Sequence, residues 1–263
     1  MGPIFICGTG RSGTSLLSVI LDSHHNIVMG AEYPLYLNHG FTVSDLRRGK
    51  AKQSLNRAER CGLTASEVRV AFKGLPSEFP ADRSEVLTAL GEALARKTGK
   101  PRWGVKIMLD SARIGVYASA FPDASFIHLV RDPRDCFASE RAFGWGERNA
   151  ASSARNWVAL NRAVISHPGA IGVLYEDLVA SPREVMDLVL QRLGEPWDDN
   201  VLRHESMPHL FHSMDRVKHP SRESTKRSVN QSAVGRWKTD LRGPEVHAIE
   251  EVAGELMREC GYS

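Results

Sequence analysis

The stretch Gly8-Thr9-Gly10-Arg11-Ser12-Gly13-Thr14-Ser15 constrains this chain more than any other. It follows the apolar run Ile4-Phe5-Ile6-Cys7 and leads into Leu16, Leu17, Val19, Ile20 and Leu21. A buried strand, a glycine-rich turn and an amphipathic helix thus come in direct succession. Such a turn gathers backbone N–H groups into one concavity at a helix N-terminus, where the helix dipole favours an anion. The glycines admit a ligand closely, Arg11 adds a cation, and Ser12, Thr14 and Ser15 add hydroxyl donors. An ordinary strand-to-helix connection is the plain alternative. Three glycines, an arginine and three hydroxyls in one turn favour a phosphate cradle.

The kind of phosphate follows from what is missing. Gly8 and Gly13 almost meet the G-x-x-x-x-G-K-[ST] spacing, but Thr14 stands at the lysine position, so a nucleoside triphosphate loses its usual β/γ-phosphate contact. No apolar strand ends in an aspartate placed to hold magnesium. The comparable strand, Phe126-Ile127-His128-Leu129-Val130, ends in Arg131-Asp132-Pro133-Arg134. The loop therefore suits a nucleotide held by cations and hydroxyls without a metal.

Strand patterns recur at Asn26–Met29, Trp103–Lys106, Ser125–Val130 and Ala170–Tyr175, and helical patterns separate them. One helix is expected after a Ser84 cap and ends at Gly99. Others span roughly 151–166, Pro182–Leu193 and a final run from Pro244 to Gly261. Strands alternating with helices predict an α/β fold: a P-loop-like central parallel sheet with helices on both faces, and a ligand at the strand C-terminal edge. All 263 residues are expected to form a single domain, with 38–80 a helical insertion and 205–240 a segment covering the ligand. Net charge +3 suits an anionic ligand but is far from a nucleic-acid signature. Cys7, Cys61, Cys136 and Cys260 form no C-x-x-C pair, which suits free thiols in a reducing compartment. The sequence shows no secretory leader and no membrane-length apolar run, so a cytoplasmic protein with no membrane partner is expected.

A second cluster is set by Arg131 at a strand tip and Ser139 eight residues on, about two helical turns away. A salt-bridged arginine and a surface serine would read the same alone. Beside the first loop, the pair suits a second phosphate. Together these motifs resemble the sulfotransferases that use 3′-phosphoadenosine 5′-phosphosulfate (PAPS), and most closely the tyrosylprotein sulfotransferases, in a bacterial-type form. The resemblance implies PAPS as co-substrate and no metal. It implies that residues 11 to 15 (Arg11, Ser12, Gly13, Thr14, Ser15) hold the 5′-phosphosulfate, and that Arg131 and Ser139 hold the 3′-phosphate. It makes Glu32 the catalytic base, with Lys106 and Ser221 on the transferring group, and sets Tyr175, Asn230 and Arg236 at the nucleotide. It implies as acceptor a tyrosine of a peptide or small protein, with no nucleic-acid partner; a homodimer is left open.

Two departures stand out. Phe143 replaces an arginine that the family places four residues after the serine, with Arg141 nearby. The residues after Glu32, Tyr33-Pro34-Leu35-Tyr36-Leu37, are neutral where relatives carry bases that read acidic flanks; Arg47, Arg48, Lys50 and Lys52 are candidates to replace them. Sulfation of a carbohydrate or small-molecule hydroxyl, a degenerate P-loop kinase and a non-catalytic nucleotide binder remain alternatives. His24-His25 and His209-x-x-His212 lack further metal ligands in sequence and read as loop and surface histidines. Trp157 and Trp237 read as core, and Lys226-Arg227 as either a solvated turn or part of a nucleotide lid.

Overall fold

The computed structural model describes residues 1–30, 62–75, 83–143, 149–209, 212 and 221–263. Glu32, Cys61 and most of the 38–80 stretch lie outside them. Among the described residues, five strands form one sheet: β1 (Ile4–Gly8), β2 (Ile27–Met29), β3 (Arg102–Lys106), β4 (Ser125–Val130) and β5 (Ile171–Leu174). Their order is β2-β3-β1-β4-β5. Every pairing is parallel, with Ile6 opposite Lys106 on one side and Ile127 on the other. Burial on both faces explains why the strands read as continuous apolar runs.

Residue alternation divides the core. Phe5 and Cys7 of β1 face a layer built by Val68 and Phe72, by Leu87, Leu90 and Leu94, and by Tyr117 and Phe121. These come from α2 (Ala65–Ala71) and the residue after it, α3 (Arg83–Thr98), and α4 (Ile114–Ala120) and the residue after it. Phe5 sits at the centre, with the rings of Tyr117, Phe121 and Phe126 each within 5.4 Å. Ile4 and Ile6 point the other way, onto Leu17, Ile20 and Leu21 of α1 (Thr14–Asp22) and onto Met186, Val189 and Leu190. The last three belong to α8 (Pro182–Leu193), which follows α7 (Tyr175–Ala180). A third layer joins α5 (Pro133–Phe143), α6 (Ala150–Ile165) and α10 (Gly243–Glu259) through Phe137, Trp157, Ile249 and Leu256.

Three local readings differ. Ser84 lies inside α3, which begins at Arg83. Tyr175 opens α7 and does not end β5. Its ring has strand propensity, yet Glu176 and Asp177 put two acids in a first helical turn, where the dipole favours them. Trp237 opens the short α9 (Trp237–Asp240) and is only half-buried, its ring lying under the Arg134 guanidinium at 4.1 Å. Trp157 is buried in the third layer.

Because the sheet is parallel, all five strand tips meet at one edge. Gly8 leads there into the glycine-rich loop, Lys106 ends β3, Arg131 follows β4 and Tyr175 follows β5. The order reverses direction at β1, so that edge is a topological switch point.

Candidate active site

The loop between β1 and α1 is held from below. The Ser111 hydroxyl accepts from the Gly8 N–H at 3.0 Å and lies 3.1 Å from the Gly8 carbonyl oxygen. Ser12 is fully buried, and its hydroxyl donates to the Thr9 carbonyl oxygen at 2.8 Å. It shapes the turn and is not among the cleft-lining residues. Gly13 has φ 97°, and a Cβ there would stand 2.4 Å from the Tyr175 ring, so only glycine fits. No side chain caps α1, and its first turn carries no acid, leaving the helix start open to an anion.

Arg11 is the one non-glycine residue with positive φ among the described residues, at 63°. Backbone strain of this kind clusters at functional sites. Here it turns the guanidinium inward. Nε donates to Ser139 Oγ at 2.9 Å and Nη1 donates to Ser221 Oγ at 2.9 Å. Burial, followed by the charge of Arg131, lowers the Arg11 pKa from its ordinary value. Arg131 in turn donates from Nη1 to the Arg11 carbonyl oxygen at 3.0 Å and from Nη2 to the Ala233 carbonyl oxygen. Its guanidinium lies 4.4 Å from the centre of the Tyr175 ring, and burial raises the Tyr175 phenol. Arg131 Nε is buried without a hydrogen-bond partner. The Trp157 indole N–H pins the Arg131 carbonyl at 2.9 Å. On the other side of the loop, buried Lys106 donates from Nζ to Ser15 Oγ at 2.9 Å.

These residues surround one cleft. Arg11, Gly13, Thr14, Ser15, Lys106, Arg131, Ser139 and Tyr175 line it from the sheet edge, and Ser221, Asn230 and Arg236 from the opposite wall. Residues 221–236 form that wall, adding Ser224, Thr225, Arg227, Ser228, Val229, Ser232 and Ala233. Among the described residues, five cations line the cleft (Arg11, Lys106, Arg131, Arg227 and Arg236), and no carboxylate does. Such a lining suits a ligand with several negative charges. The two sequence clusters, read as separate phosphate grips, are joined here through the Arg11 side chain.

A family model described as the sulfotransferase family matches residues 3–199. The chain belongs to that family. Protein-tyrosine sulfotransferase A of Caenorhabditis elegans is 26% identical over 275 residues, covering 98% of this chain and 67% of its own length. Protein-tyrosine sulfotransferase 1 of Danio rerio is 28% identical over 283 residues, covering 98% and 72%. Among solved structures, the sulfotransferase domain from the curacin biosynthetic pathway superposes with a TM-score of 0.72 at 21% identity, covering 100% of this chain and 98% of its own. The sulfotransferase domain of the Synechococcus PCC 7002 olefin synthase gives 0.69 at 20%, covering 95% and 94%. These likenesses carry the α/β sulfotransferase fold. The matched span contains the loop, Lys106, Arg131, Ser139 and Tyr175; Ser221, Asn230 and Arg236 lie past it and join the site through the fold.

Sequence reasoning about this sulfotransferase missed the residues that hold the far wall. Asp135 Oδ2 accepts from the Gly235 N–H at 2.8 Å, and Oδ1 accepts from the Trp237 N–H at 3.0 Å. Asp135 belongs to the same Arg-Asp-Pro-Arg-Asp run as Arg131, but its partners lie about a hundred positions away, beyond any local spacing. Arg141 does not line the cleft; it is held bidentately by Glu245 at 2.7 Å. Arg227 lines the cleft, while Lys226 pairs with Glu223 at 2.9 Å. Arg236 reaches the cleft but is itself paired with Asp240. The histidine reading needs correction as well. Asp198 joins His24 and His25, their ligand atoms lying within 4.8 Å of one another. His24 Nδ1 accepts from the Asn26 N–H, and Nε2 lies 2.8 Å from the Pro196 carbonyl oxygen, so both ring nitrogens are engaged.

Proposed function

We propose that this sulfotransferase moves the sulfuryl group of PAPS to the phenol oxygen of a tyrosine in a peptide or small protein. One observation carries the donor half: Arg11 joins Ser139 on one side to Ser221 on the other, in a cleft that the described residues line with five cations and no carboxylate. Arg131, with a buried Nε lacking a partner, and Ser139 would hold the 3′-phosphate. The open start of α1, with Thr14 and Ser15, would hold the 5′-phosphosulfate. The site needs no metal in this reading, because guanidinium, ammonium and hydroxyl donors supply the charge.

Sulfuryl transfer resembles phosphoryl transfer, a loose in-line displacement. The sulfur–oxygen bond to the phosphate breaks, a bond from sulfur to the acceptor oxygen forms, and negative charge grows on the phosphate. Arg11, Lys106 and Ser221 stand where donors can stabilise that charge. Glu32, three residues past the end of β2 in sequence, takes the acceptor proton. A carboxylate in contact with the hydroxyl suits a phenol of pKa about 10 better than a sugar hydroxyl. The two animal relatives named above, both protein-tyrosine sulfotransferases, support the same acceptor. Cys7 and Cys136 are buried free thiols, raised by burial, which supports a reducing, cytoplasmic setting.

The test offers labelled PAPS with tyrosine peptides bearing acidic flanks, their phenylalanine counterparts and oligosaccharides. Label is expected on tyrosine alone. Glu32→Gln should cut the rate about 10²- to 10⁴-fold, the usual worth of a general base, while product-nucleotide affinity holds. Sulfate on glycans with every tyrosine peptide untouched would replace the acceptor; a near-normal Glu32→Gln rate would remove the base.

A further inference from the structure

Behind the wall formed by residues 221–236 lies a group of histidines outside the reaction chemistry. His204 and His209 are buried, and His212 is half-buried. His209 Nδ1 lies 2.7 Å from Asp22 Oδ2, and its Nε2 lies 2.7 Å from the His204 carbonyl oxygen. A carbonyl oxygen only accepts hydrogen bonds, and so does an ionised carboxylate. Both ring nitrogens therefore donate. We propose that His209 is held as an imidazolium on Asp22 and is a positioning residue of the sulfuryl-transfer site, tying the exit of β2 to the wall that carries Ser221.

Each link is short. Asp22 ends α1, and its Oδ1 accepts from the N–H of Met29, the last residue of β2 and three positions before Glu32. The His209 carbonyl accepts from the His212 N–H at 3.0 Å, and His212 Nε2 lies 3.0 Å from Thr225 Oγ1. The Thr225 hydroxyl donates toward the Ser221 and Arg222 carbonyl oxygens, both at 3.0 Å, so His212 Nε2 is the donor in its own bond. Asp22 thus grips the strand that leads to the candidate base, and through His209 and His212 it grips the backbone of Ser221.

The surrounding charges agree with one cation in the group. Lys100 donates to the backbone carbonyls of Asp22 and Ile27, placing an ammonium beside Asp22. Glu205 Oε2 lies 3.6 Å from His204 Nδ1. Burial lowers the His204 pKa, with Glu205 opposing and the charge on His209 assisting. Burial and then His209 push His212 down to about 4, with smaller contributions from Lys226, His204 and Arg222. In this arrangement His209 is the cation, and His204 and His212, both lowered, are neutral beside it.

The proposal rests on the reading that Ser221 belongs to the transfer site, and two readouts keep the claims apart. The first is nitrogen-15 NMR of the histidine rings in the wild-type protein at about pH 7.5, where an unperturbed histidine is neutral. His209, assigned by the loss of its signals in His209→Gln, should show both nitrogens protonated. A neutral tautomer overturns the proposal. The second is kinetic. In folded His209→Gln and Asp22→Asn, kcat for transfer from PAPS should fall about tenfold, the worth of one charge-assisted hydrogen bond, while donor KM moves less than about threefold. Unchanged kcat in the folded variants overturns the positioning role. Should both fail to fold, Thr225→Val cuts the same linkage nearer the wall and carries the same kcat test. A wild-type protein that transfers nothing from PAPS removes the proposed function and the positioning claim with it; the ring spectrum then still decides whether His209 is an imidazolium.

Discussion

Arg131 and Arg134 stand three residues apart in one run, and both are buried against an aromatic ring, yet they face different worlds. Arg134 is saturated with acceptors. Nε and Nη2 bind Asp132 at 2.8 to 3.2 Å, Nη1 binds Glu250 at 2.8 Å, and Nη2 also donates to the Ser263 carbonyl oxygen at 2.8 Å. Burial pulls its pKa down, but Asp132 and Glu250 outweigh that and leave it raised. Among the described residues, Arg131 has two backbone carbonyls and one longer ion pair, with Asp135 at 3.7 Å. Asp135 meanwhile serves the backbone of the far wall. Buried charge is costly unless paired. The arginine bound closely by carboxylates braces the α5–α10 side, and the one with the longer carboxylate contact lines the cleft, where an anionic ligand would complete its partners.

Removing each cation should therefore damage a different property. Arg134→Ala should cost about 3–5 kcal/mol of stability, because it strands Asp132 in a buried site. Urea unfolding measures this, and nucleotide affinity in the surviving folded protein should stay within about threefold, less than one charged hydrogen bond is worth. A stable variant that loses nucleotide would reverse the assignment. The smallest effect belongs to Arg141, the cation nearest in sequence to the missing family arginine. Arg141→Ala should leave nucleotide affinity within about twofold and cost less than about 1 kcal/mol, as for a surface ion pair. Its signature is acidic. A backbone hydrogen bond from Arg242, aided by the Arg242 and Arg141 side chains, pulls Glu245 down to about 2. A lowered carboxylate pKa gives stability that is present above the ordinary range and lost as pH falls toward about 2. Arg141→Ala should thus lose its small share of stability at neutral pH, and the difference from the wild-type protein should shrink as pH falls toward about 2. A large loss of nucleotide binding would show that Arg141 does replace the arginine absent at Phe143.

The sequence made the strand tips legible because each follows a buried apolar run and ends in a residue of unmistakable chemistry: Gly8, Lys106, Arg131. α8 was equally plain, with Pro182 inside its start and Gly194 in the left-handed conformation past its end. What stayed hidden was direction and distance. Nothing in the spacing shows that the Ser12 hydroxyl turns inward to Thr9, or that the Arg11 side chain reaches Ser139 and Ser221 at once. Asp135 binding Gly235 and His209 binding Asp22 span so much chain that only the fold brings them together. Trp237 read as core because indoles usually are; here its partner is a guanidinium. Glu32 lies outside the described residues, and its role stands on the motif and the proposed assay.

The contrast between the two arginines reduces to one titration. Adenosine 3′,5′-bisphosphate and adenosine 5′-monophosphate are titrated calorimetrically into the wild-type protein and Arg131→Ala, with chelator in excess. The wild-type protein should bind the bisphosphate about tenfold or more tightly than the monophosphate, and Arg131→Ala should erase most of that difference, as expected for a charged hydrogen bond to phosphate. Equal weakening for both nucleotides, or binding that disappears with the divalent ions, would contradict a metal-free site in which Arg131 reads the 3′-phosphate.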